Sequence, residues 1–512
     1  MEERNEKFLN LRPLVICAIF MVAGILCAYY SFLHGYYILV ISLISIALAF
    51  VSLFLVKEQK TKKFLLLLLC LAFIFFSLGT FLTQIKIQKV KNSPYEENSG
   101  NFIGTIYSIN YYDSGASITF KNCTFNGVSI PGKANAFVYK SELFGRTDVG
   151  VKVSFTCDLV NSFKEGDKSI KVISGEIYNL YSVANISIID FDADFFELGY
   201  FKARSFLRQT LSQGASAVAI ALTLGDTSYF PVYKLNNYRF AGIAHVFAVS
   251  GLHMGVMVSA FTFLARALKV KRKFRPFIIL IPALIYCGIC GFRPSSLRAF
   301  VMATVTILAE YIGFKRDNLS TLALAGIVVL AVNPFGIFDY GFRLSFVAVG
   351  SIFALSPLFL RQSKGLKGFA SPISISLSAQ IGTTPLLTRM SGYTSIISLF
   401  TNIIFVPVSV FLYLLTLSCL AISAIFSLIT DYAKLIMKAP DLFITAVDNL
   451  LGKIDFSIMA MPLSIGYLSV VWYIAMACVS DYLNFKPKHK LIIATVSVLC
   501  VFLGTYLMGV IA

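Results

Sequence analysis

Apolar residues run along this chain in long blocks joined by short basic connectors, and a single polar interval, residues 86–194, interrupts them. About 20 consecutive apolar residues make a helix long enough to cross a bilayer core. Residues 14–33, 36–56 and 64–85 predict three such helices before the polar interval. After it come 241–268, 276–291, 294–313, 319–332, 341–360, 372–390 and 396–428, then 458–483 and 491–512. Several of these are short or broken by Gly and Pro, which membrane helices tolerate only where neighbours satisfy the freed backbone groups. Asn402 and Pro407 divide 396–428 into a half-span, a break and a full span. Residues 215–224 are too short to cross, end at Gly225-Asp226, and predict a re-entrant or buried segment.

Two segments have the spacing of surface helices. Residues 195–214 set Lys202, Arg204 and Arg208 among Phe and Leu, as a helix lying in an interface does. In 431–453 the apolar positions 435, 436, 439, 442, 443, 446, 447, 450 and 451 share a face, with Lys434, Lys438, Asp441 and Asp448 off it.

The polar interval changes period. Apolar residues alternate in 102–109, 136–139, 150–157 and 171–178, which predicts strands, and Asn126-Gly127 and Pro131-Gly132 predict turns. Short strands in an interval of this length predict a small barrel, OB-like in size. The predicted fold class is a polytopic α-helical membrane protein with an inserted small OB-like β-barrel outside the membrane. Its parts are a three-span region at 1–85, the β domain at 86–194, and a membrane domain at 195–512 with interfacial helices near 195–214 and 431–453.

Composition supports this class: 57% of the 512 residues are hydrophobic and 14% are charged. The net charge of +18 does not indicate a soluble nucleic-acid binder, because it concentrates in connectors. The groups are Lys57, Lys60, Lys62 and Lys63; Arg266, Lys269, Lys271, Arg272, Lys273 and Arg275; Lys315-Arg316; Arg361, Lys364 and Lys367; and Lys486, Lys488 and Lys490. Basic short loops mark the cytoplasmic side. With Arg4, Lys7 and Arg12 the N-terminus is expected in the cytoplasm and residues 86–194 outside it. Residues 14–33 lack a small-residue cleavage site before the next apolar run, so they read as a retained span. The β domain carries 11 Lys and Arg against 12 Asp and Glu, so no charged groove shows in its sum.

Eight of ten cysteines lie in apolar blocks, where a thiol packs as a small hydrophobe, and Cys287-x-x-Cys290 reads the same way. Cys123 and Cys157 fall in the polar interval. In an oxidising space they are expected to pair, closing a loop worth about 3–4 kcal/mol; the alternative is two buried free thiols.

Chemistry concentrates in residues 241–268, where His245 and His253 flank Ser250-Gly251. Imidazoles at membrane depth face a protein interior or a water-filled cavity. On an unbroken helix the rings would stand roughly 80° apart and about 12 Å along the axis, and a break at Ser250-Gly251 could bring them to one cavity. Packing against neighbouring helices is the plainer reading. Asp226, Arg239, Arg293, Arg298, Asp339, Arg343 and Arg389 also lie in or beside apolar blocks. Gly291-Phe-Arg-Pro-Ser-Ser-Leu-Arg298 is the densest group. A helix beginning near Pro294 offers free N–H groups and a positive dipole end to an anion. The alternative is that these arginines pair with Asp226 or Asp339 and hold helices together.

Six stretches in one order resemble the ComEC-type competence proteins. They are Ala221-Leu-Thr-Leu-Gly-Asp226, His245 to Ser-Gly-Leu-His253, Gly291 to Ala299, Asn333-Pro334 with Asp339-Tyr-Gly-Phe-Arg-Leu-Ser-Phe346, Ser378-Ala-Gln-Ile-Gly-Thr-Thr-Pro385, and Asn402 with Pro407. The resemblance covers nearly the whole chain, including the order of three spans, OB-like domain and membrane domain. It implies an inner-membrane channel passing one strand of transforming DNA into the cytoplasm, without catalysis. The path candidates it marks are Asp226, Arg239, His245, Ser250, His253, Arg293, Ser295, Ser296, Arg298, Asp339, Arg343 and Gln380. Tyr107, Tyr111, Tyr112, Phe137 and Tyr139 are candidate stacking surfaces on the barrel, although strands favour core aromatics anyway.

Many members of that family carry a metallo-β-lactamase-like module, which needs clustered histidines. After His253 this sequence has only His489, so no metal is expected and degradation of the second strand falls to a separate nuclease. No nucleotide-binding loop is evident and no cofactor is expected, so a separate cytoplasmic motor or a gradient would drive transport. An external DNA receptor and the membrane lipid are further expected partners, and homo-oligomerisation is left open. Two other classes fit parts of the pattern. Broken helices and midplane arginines also suit a secondary transporter of a small anionic or polar solute. Ser250 with His253 or His245, oriented by Asp226, suits an intramembrane hydrolase.

Overall fold

The computed structural model describes residues 12–30, 60–92, 98–111, 115–139, 150–162, 176–191, 195–313, 317–362, 370–395, 397–425, 438–454 and 460–462, with the single positions 472, 473, 476 and 496. Helices α1 (Pro13–Tyr30) and α2 (Lys60–Lys91) cross with their backbones nearly touching. A Cβ on Gly24 would stand 2.1 Å from Phe76 O, and one on Gly79 would stand 2.4 Å from Met21 O. Small residues permit such crossings where lipid offers no hydrophobic drive between helices. The expected second span, 36–56, lies outside the described residues, as do almost all of 458–483 and 491–512.

From the end of α2, Val90 enters the core of a barrel. Its strands are β1 (Asn98–Tyr111), β2 (Gly115–Phe125), β3 (Val128–Ser129), β4 (Lys133–Tyr139), β5 (Val151–Asn161) and β6 (Glu176–Phe191). The order β1-β5-β6-β4-β2 closes through a β2–β1 pairing, so five strands form the wall and β3 is a short hairpin arm on β2. All wall pairs are antiparallel except β4 with β6. Phe102, Phe120 and Phe155 meet in its core at ring separations of 4.9–5.5 Å. Asn126 (φ +50°) and Gly127 (φ +81°) make the two-residue turn between β2 and β3, both in the left-handed conformation such hairpins need.

The strand missing from the sequence reading is β2. Inward positions Ala116, Ile118 and Phe120 give way to Cys123 and Phe125, because Asn122 (φ +51°) inserts an extra residue beside a register shift and resets the alternation. The expected strand at 171–178 is observed from Glu176 and continues to Phe191; its first residues lie outside the described set.

Cys123 and Cys157 are both buried free thiols, so the expected bridge is not formed. They lie on β2 and β5, which flank β1 on opposite sides. Cys157 stands opposite Gly100, whereas Cys123 stands beyond Ile103 on the other edge. Two strand spacings and roughly three residues of offset separate their Cα atoms by more than 10 Å, and a disulfide needs less than about 7 Å. Burial pushes each thiol up to about 12, with the Asp158 carboxylate adding to the effect at Cys157.

The helical part continues through α3 (Phe195–Thr210), α4 (Gln213–Leu224), α5 (Val232–Phe240), α6 (Gly251–Ala267), α7 (Arg275–Ile289), α8 (Pro294–Ile312) and α9 (Asn318–Val332). It then runs through α10 (Tyr340–Gln362), α11 (Ala370–Ser391), α12 (Ser398–Ile425) and α13 (Lys438–Lys453), with strands β7 (Tyr393–Ser395) and β8 (Ala460–Pro462) paired antiparallel. Five helices among the described residues are long and apolar enough to cross a membrane: Pro13–Tyr30, Leu66–Lys91, Pro294–Ile312, Tyr340–Arg361 and Ser398–Ile422. This is a mostly helical, multi-pass membrane protein carrying a five-stranded barrel.

Two expectations change, and the packed face of α13 is defined. Asn402 and Pro407 do not interrupt α12, which is one helix of 28 residues; a proline inside a packed membrane helix is accommodated by its neighbours. In α13 the packed face carries Ile444, Asp448 and Leu451, while Leu442, Phe443 and Leu450 are exposed. Asp448 turns inward because Lys234 Nζ reaches it at 2.6 Å and the Tyr238 hydroxyl donates to it. Arg204 of α3 is buried rather than interfacial: its guanidinium faces Asp226 at 3.9 Å beside the rings of Tyr200 and Tyr229. The short segment read at 215–224 is α4, buried from Ala215 to Leu224.

Candidate functional site

The run 241–268 is helical only from Gly251. Residues Ala244–Phe247 make one tight turn, 248–250 are extended, and α6 then has 17 residues. The break falls at Ser250-Gly251 as expected, and a capping box fixes it. Ser250 Oγ accepts from Leu252 N at 3.2 Å, and Ser250 N donates to His253 Nδ1, also at 3.2 Å. An imidazole thus takes the place of the Glu or Gln usual in such a box. Because Nδ1 accepts, the ring proton sits on Nε2. The Ser250 hydroxyl and His253 are therefore engaged in capping a helix, and among the described residues neither bonds Asp226, whose hydrogen-bond partners are Tyr200 and Ser228. His253 is buried edge-on against Tyr413 at 4.7 Å.

The break is stitched to two other elements. Ser295 Oγ, in the first turn of α8, donates to Val249 O at 2.6 Å. Arg293, the residue capping α8, donates through Nη1 to Gly225 O at 2.6 Å. Gly225 (φ +69°) ends α4 in the left-handed conformation, and a Cβ there would crowd Val249 N at 2.9 Å. Ser296 turns back to Arg293 O. Arg298, one turn into α8, is 5% exposed and donates from Nε to Ser345 Oγ of α10 at 2.9 Å.

These contacts set α6, α8 and α10 side by side with their N-terminal turns on one side of the helical part. The barrel lies on that side: Ser228 Oγ donates to Ile109 O of β1 at 3.3 Å, and Lys121 of β2 pairs with Glu197 of α3. Lys86, near the end of α2, reaches Asn333 Oδ1 at 3.0 Å on the same side. The basic block after α6 is on the opposite side, where Arg272 caps the end of α8 through Glu310 O and Tyr311 O.

Asp226 belongs to a separate polar knot. It accepts from Tyr200 Oη at 2.5 Å and from Ser228 N and Oγ, and its ion-pair partner is Arg204. Asp339 caps α10 through Phe342 N at 3.0 Å, and Arg343 donates to Phe338 O at 2.6 Å beneath the Tyr340 ring. Neither Arg293 nor Arg298 has a carboxylate within ion-pair distance among the described residues. The alternative in which those arginines glue helices through Asp226 or Asp339 therefore does not hold.

Three candidates stand apart from this cluster. His245 is exposed, and its Nδ1 lies 3.1 Å from Gly242 O. Gln380 donates to Ser395 O at 2.8 Å, beside the close approach of Gly242 to Ser398. Arg239 is exposed and bonds Asn236. The sequence reading missed Tyr200, Arg204, Ser345 and Tyr413. Each is an ordinary residue in its own segment, and only the packing of distant helices gives it a role.

Fold and site define a multi-pass membrane protein that presents, beside a β-barrel, helix N-termini and guanidinium groups with no carboxylate partner among the described residues. The chain belongs to the competence protein family: the model of that family, described as Competence protein, matches residues 222–485. It is 29% identical over 250 residues to ComE operon protein 3 of Bacillus subtilis, covering 49% of this chain and 32% of that protein. Uncharacterized protein MG316 of Mycoplasma genitalium is 30% identical over 208 residues, covering 39% of this chain and 49% of that protein. Recombination protein 2 of Haemophilus influenzae is 29% identical over 170 residues, 31% of this chain and 21% of that protein. The matches thus span from about a fifth to about half of these relatives' lengths. No solved structure matches the chain.

Proposed function

We propose that this chain is a membrane channel for uptake of single-stranded DNA into the cytoplasm during natural competence. One observation carries the reading: the N-terminal turns of α6, α8 and α10 gather on the barrel side with Arg293, Arg298, Arg343 and Lys86; Asp339 caps α10, but neither Arg293 nor Arg298 has a carboxylate within ion-pair distance among the described residues. Phosphate is the natural guest of such a surface, since helix N-termini and guanidinium groups both favour anions. Each group offers one or two donors, so each would hold a phosphate weakly, as conduction requires. The barrel is OB-like in this reading, supported by its closed five-strand order with one parallel pair. It stands outside the cell, and the basic Arg266–Arg275 connector on the opposite side faces the cytoplasm. An external receptor would deliver the DNA and a separate motor or a gradient would drive it.

The test is made in a competent host from which the native copy is deleted. Variants Arg293→Gln and Lys86→Gln are matched to the wild type for membrane abundance. Labelled DNA should still bind the cell surface, but its arrival in the cytoplasm should fall at least tenfold. Undiminished cytoplasmic DNA in the deletion strain itself would refute the reading.

A further inference from the structure

Arg298 is buried, yet its charge has no counter-ion among the described residues. Its Nε is fixed by Ser345 Oγ, its Nη1 rests on the thioether of Met302 at 3.8 Å, and the Phe346 ring lies 5.8 Å from Cζ. Its Nη2 makes no hydrogen bond among the described residues and points at Gly251, the first residue of α6. A Cβ on Gly251 would come within 2.8 Å of that nitrogen, so the missing side chain leaves the guanidinium open to the end of the helix. Ser250 Oγ satisfies the N–H groups of Leu252 and His253, which leaves the Gly251 N–H without an acceptor among the described residues. A charge removed from water is normally paired. Here no counter-ion is supplied by the described protein groups, and the open Arg298 Nη2 is directed at the first residue of α6.

We infer that Arg298 and the first turn of α6 form a station for one phosphodiester group, with Ser345 setting the guanidinium's orientation. The inference rests on the DNA-uptake reading and deepens it: the strand passes by handing successive backbone phosphates to this point. Its charge is one guanidinium plus a helix end, suited to a phosphodiester monoanion. Lipid headgroups carry the same group. The nucleic-acid source is assigned here because the station lies one turn in from Arg293, on the side that faces the barrel.

The experiment uses the full chain in phosphatidylcholine nanodiscs and a fluorescent oligothymidylate, with affinity measured against salt concentration. Each phosphate contact on a single strand contributes about 0.7 to the log–log slope. Arg298→Gln should lower the slope by about that amount. Gly251→Ala, which keeps the charge and blocks the approach, should do the same, and Ser345→Ala should weaken binding in the same direction. Lys202→Gln, an equal charge change at an exposed position outside the station, should leave the slope in place. If Arg298→Gln does not fold, Gly251→Ala decides. An unchanged slope in Gly251→Ala and Arg298→Gln, with steep wild-type binding retained, overturns the station and leaves the channel reading standing. Absence of salt-dependent binding by the wild type overturns the channel reading itself. Retention of phosphatidylglycerol that depends on Arg298, without any change in the oligonucleotide slope, assigns the station to lipid and overturns the inference.

Discussion

Asp226 and Asp339 are both acidic residues at the edges of apolar blocks, and the sequence treats them alike. In the fold they do different work. Asp226 compensates the buried Arg204 and accepts from Tyr200 and Ser228, whereas Asp339 is exposed and caps α10. Asp226→Asn removes the carboxylate that faces the buried Arg204 and should cost about 3–5 kcal/mol, the loss on breaking a buried pair. Asp339→Ala should cost about 1 kcal/mol, as loss of an N-cap does. Thermal unfolding of the detergent-purified variants measures both; equal losses would contradict the assignment. The barrel thiols give a second check. At about 12, the Cys123 and Cys157 groups are raised, so the neutral thiol is the form present at neutral pH and thiolate appears only as pH approaches that value. At pH 8 roughly one in ten thousand is ionised, against about a quarter for an ordinary thiol. Peptides bearing these residues should resist maleimide in the native protein and react fully once it is denatured without reductant. Failure to react under denaturation would show the bridge that the fold lacks. What sequence could reveal at this scale was residue type and spacing. His253 was visible as unusual, but its role as a helix cap required knowing where α6 begins.

Elements were more legible than side chains. Blocks of apolar residues gave α7, α8, α9, α10 and α11 within a few positions, because length and hydrophobicity are local properties. The apolar stripe of α13, read as the face of an interfacial helix, is not the face packed on protein, since in a membrane protein exposed apolar residues can meet lipid. Asp448, held by Lys234 and Tyr238 from α5, marks the packed side instead. The α10–α11 crossing is another contact that periodicity does not show. A Cβ on Gly382 would fall 1.7 Å from Ser351 Oγ, whereas Gly255 of α6 has open space around it. Gly382→Ala should destabilise the fold by about 1–3 kcal/mol or more through overpacking, and Gly255→Ala should be neutral or mildly stabilising. Comparable yield and melting temperature for the two variants would refute the close crossing.

At the scale of the whole molecule, the barrel meets the helical part at Ser228 and Glu197, and Gly225 near the first of these packs on the break in the apolar run carrying both histidines. Contacts from β1 to Ser228, from β2 to Glu197 and from Val90 into the barrel core tie the two together beside Asp226 and Gly225. Sequence order placed a β domain before the motif-bearing helices, but not the gathering of three helix N-termini on one side of the helical part, which depends on long-range packing. The most direct measurement is photocrosslinking during DNA uptake. A benzophenone side chain replaces Phe292 or Leu252, both exposed on the barrel side, and in a control replaces Phe263, exposed toward the other end of α6. Illumination while labelled DNA is moving into the cell should join DNA to the chain at positions 292 and 252 and not at 263. Cytoplasmic arrival of DNA at the normal rate with no adduct at 292 or 252, or with adducts at 263 alone, would contradict a path through this site.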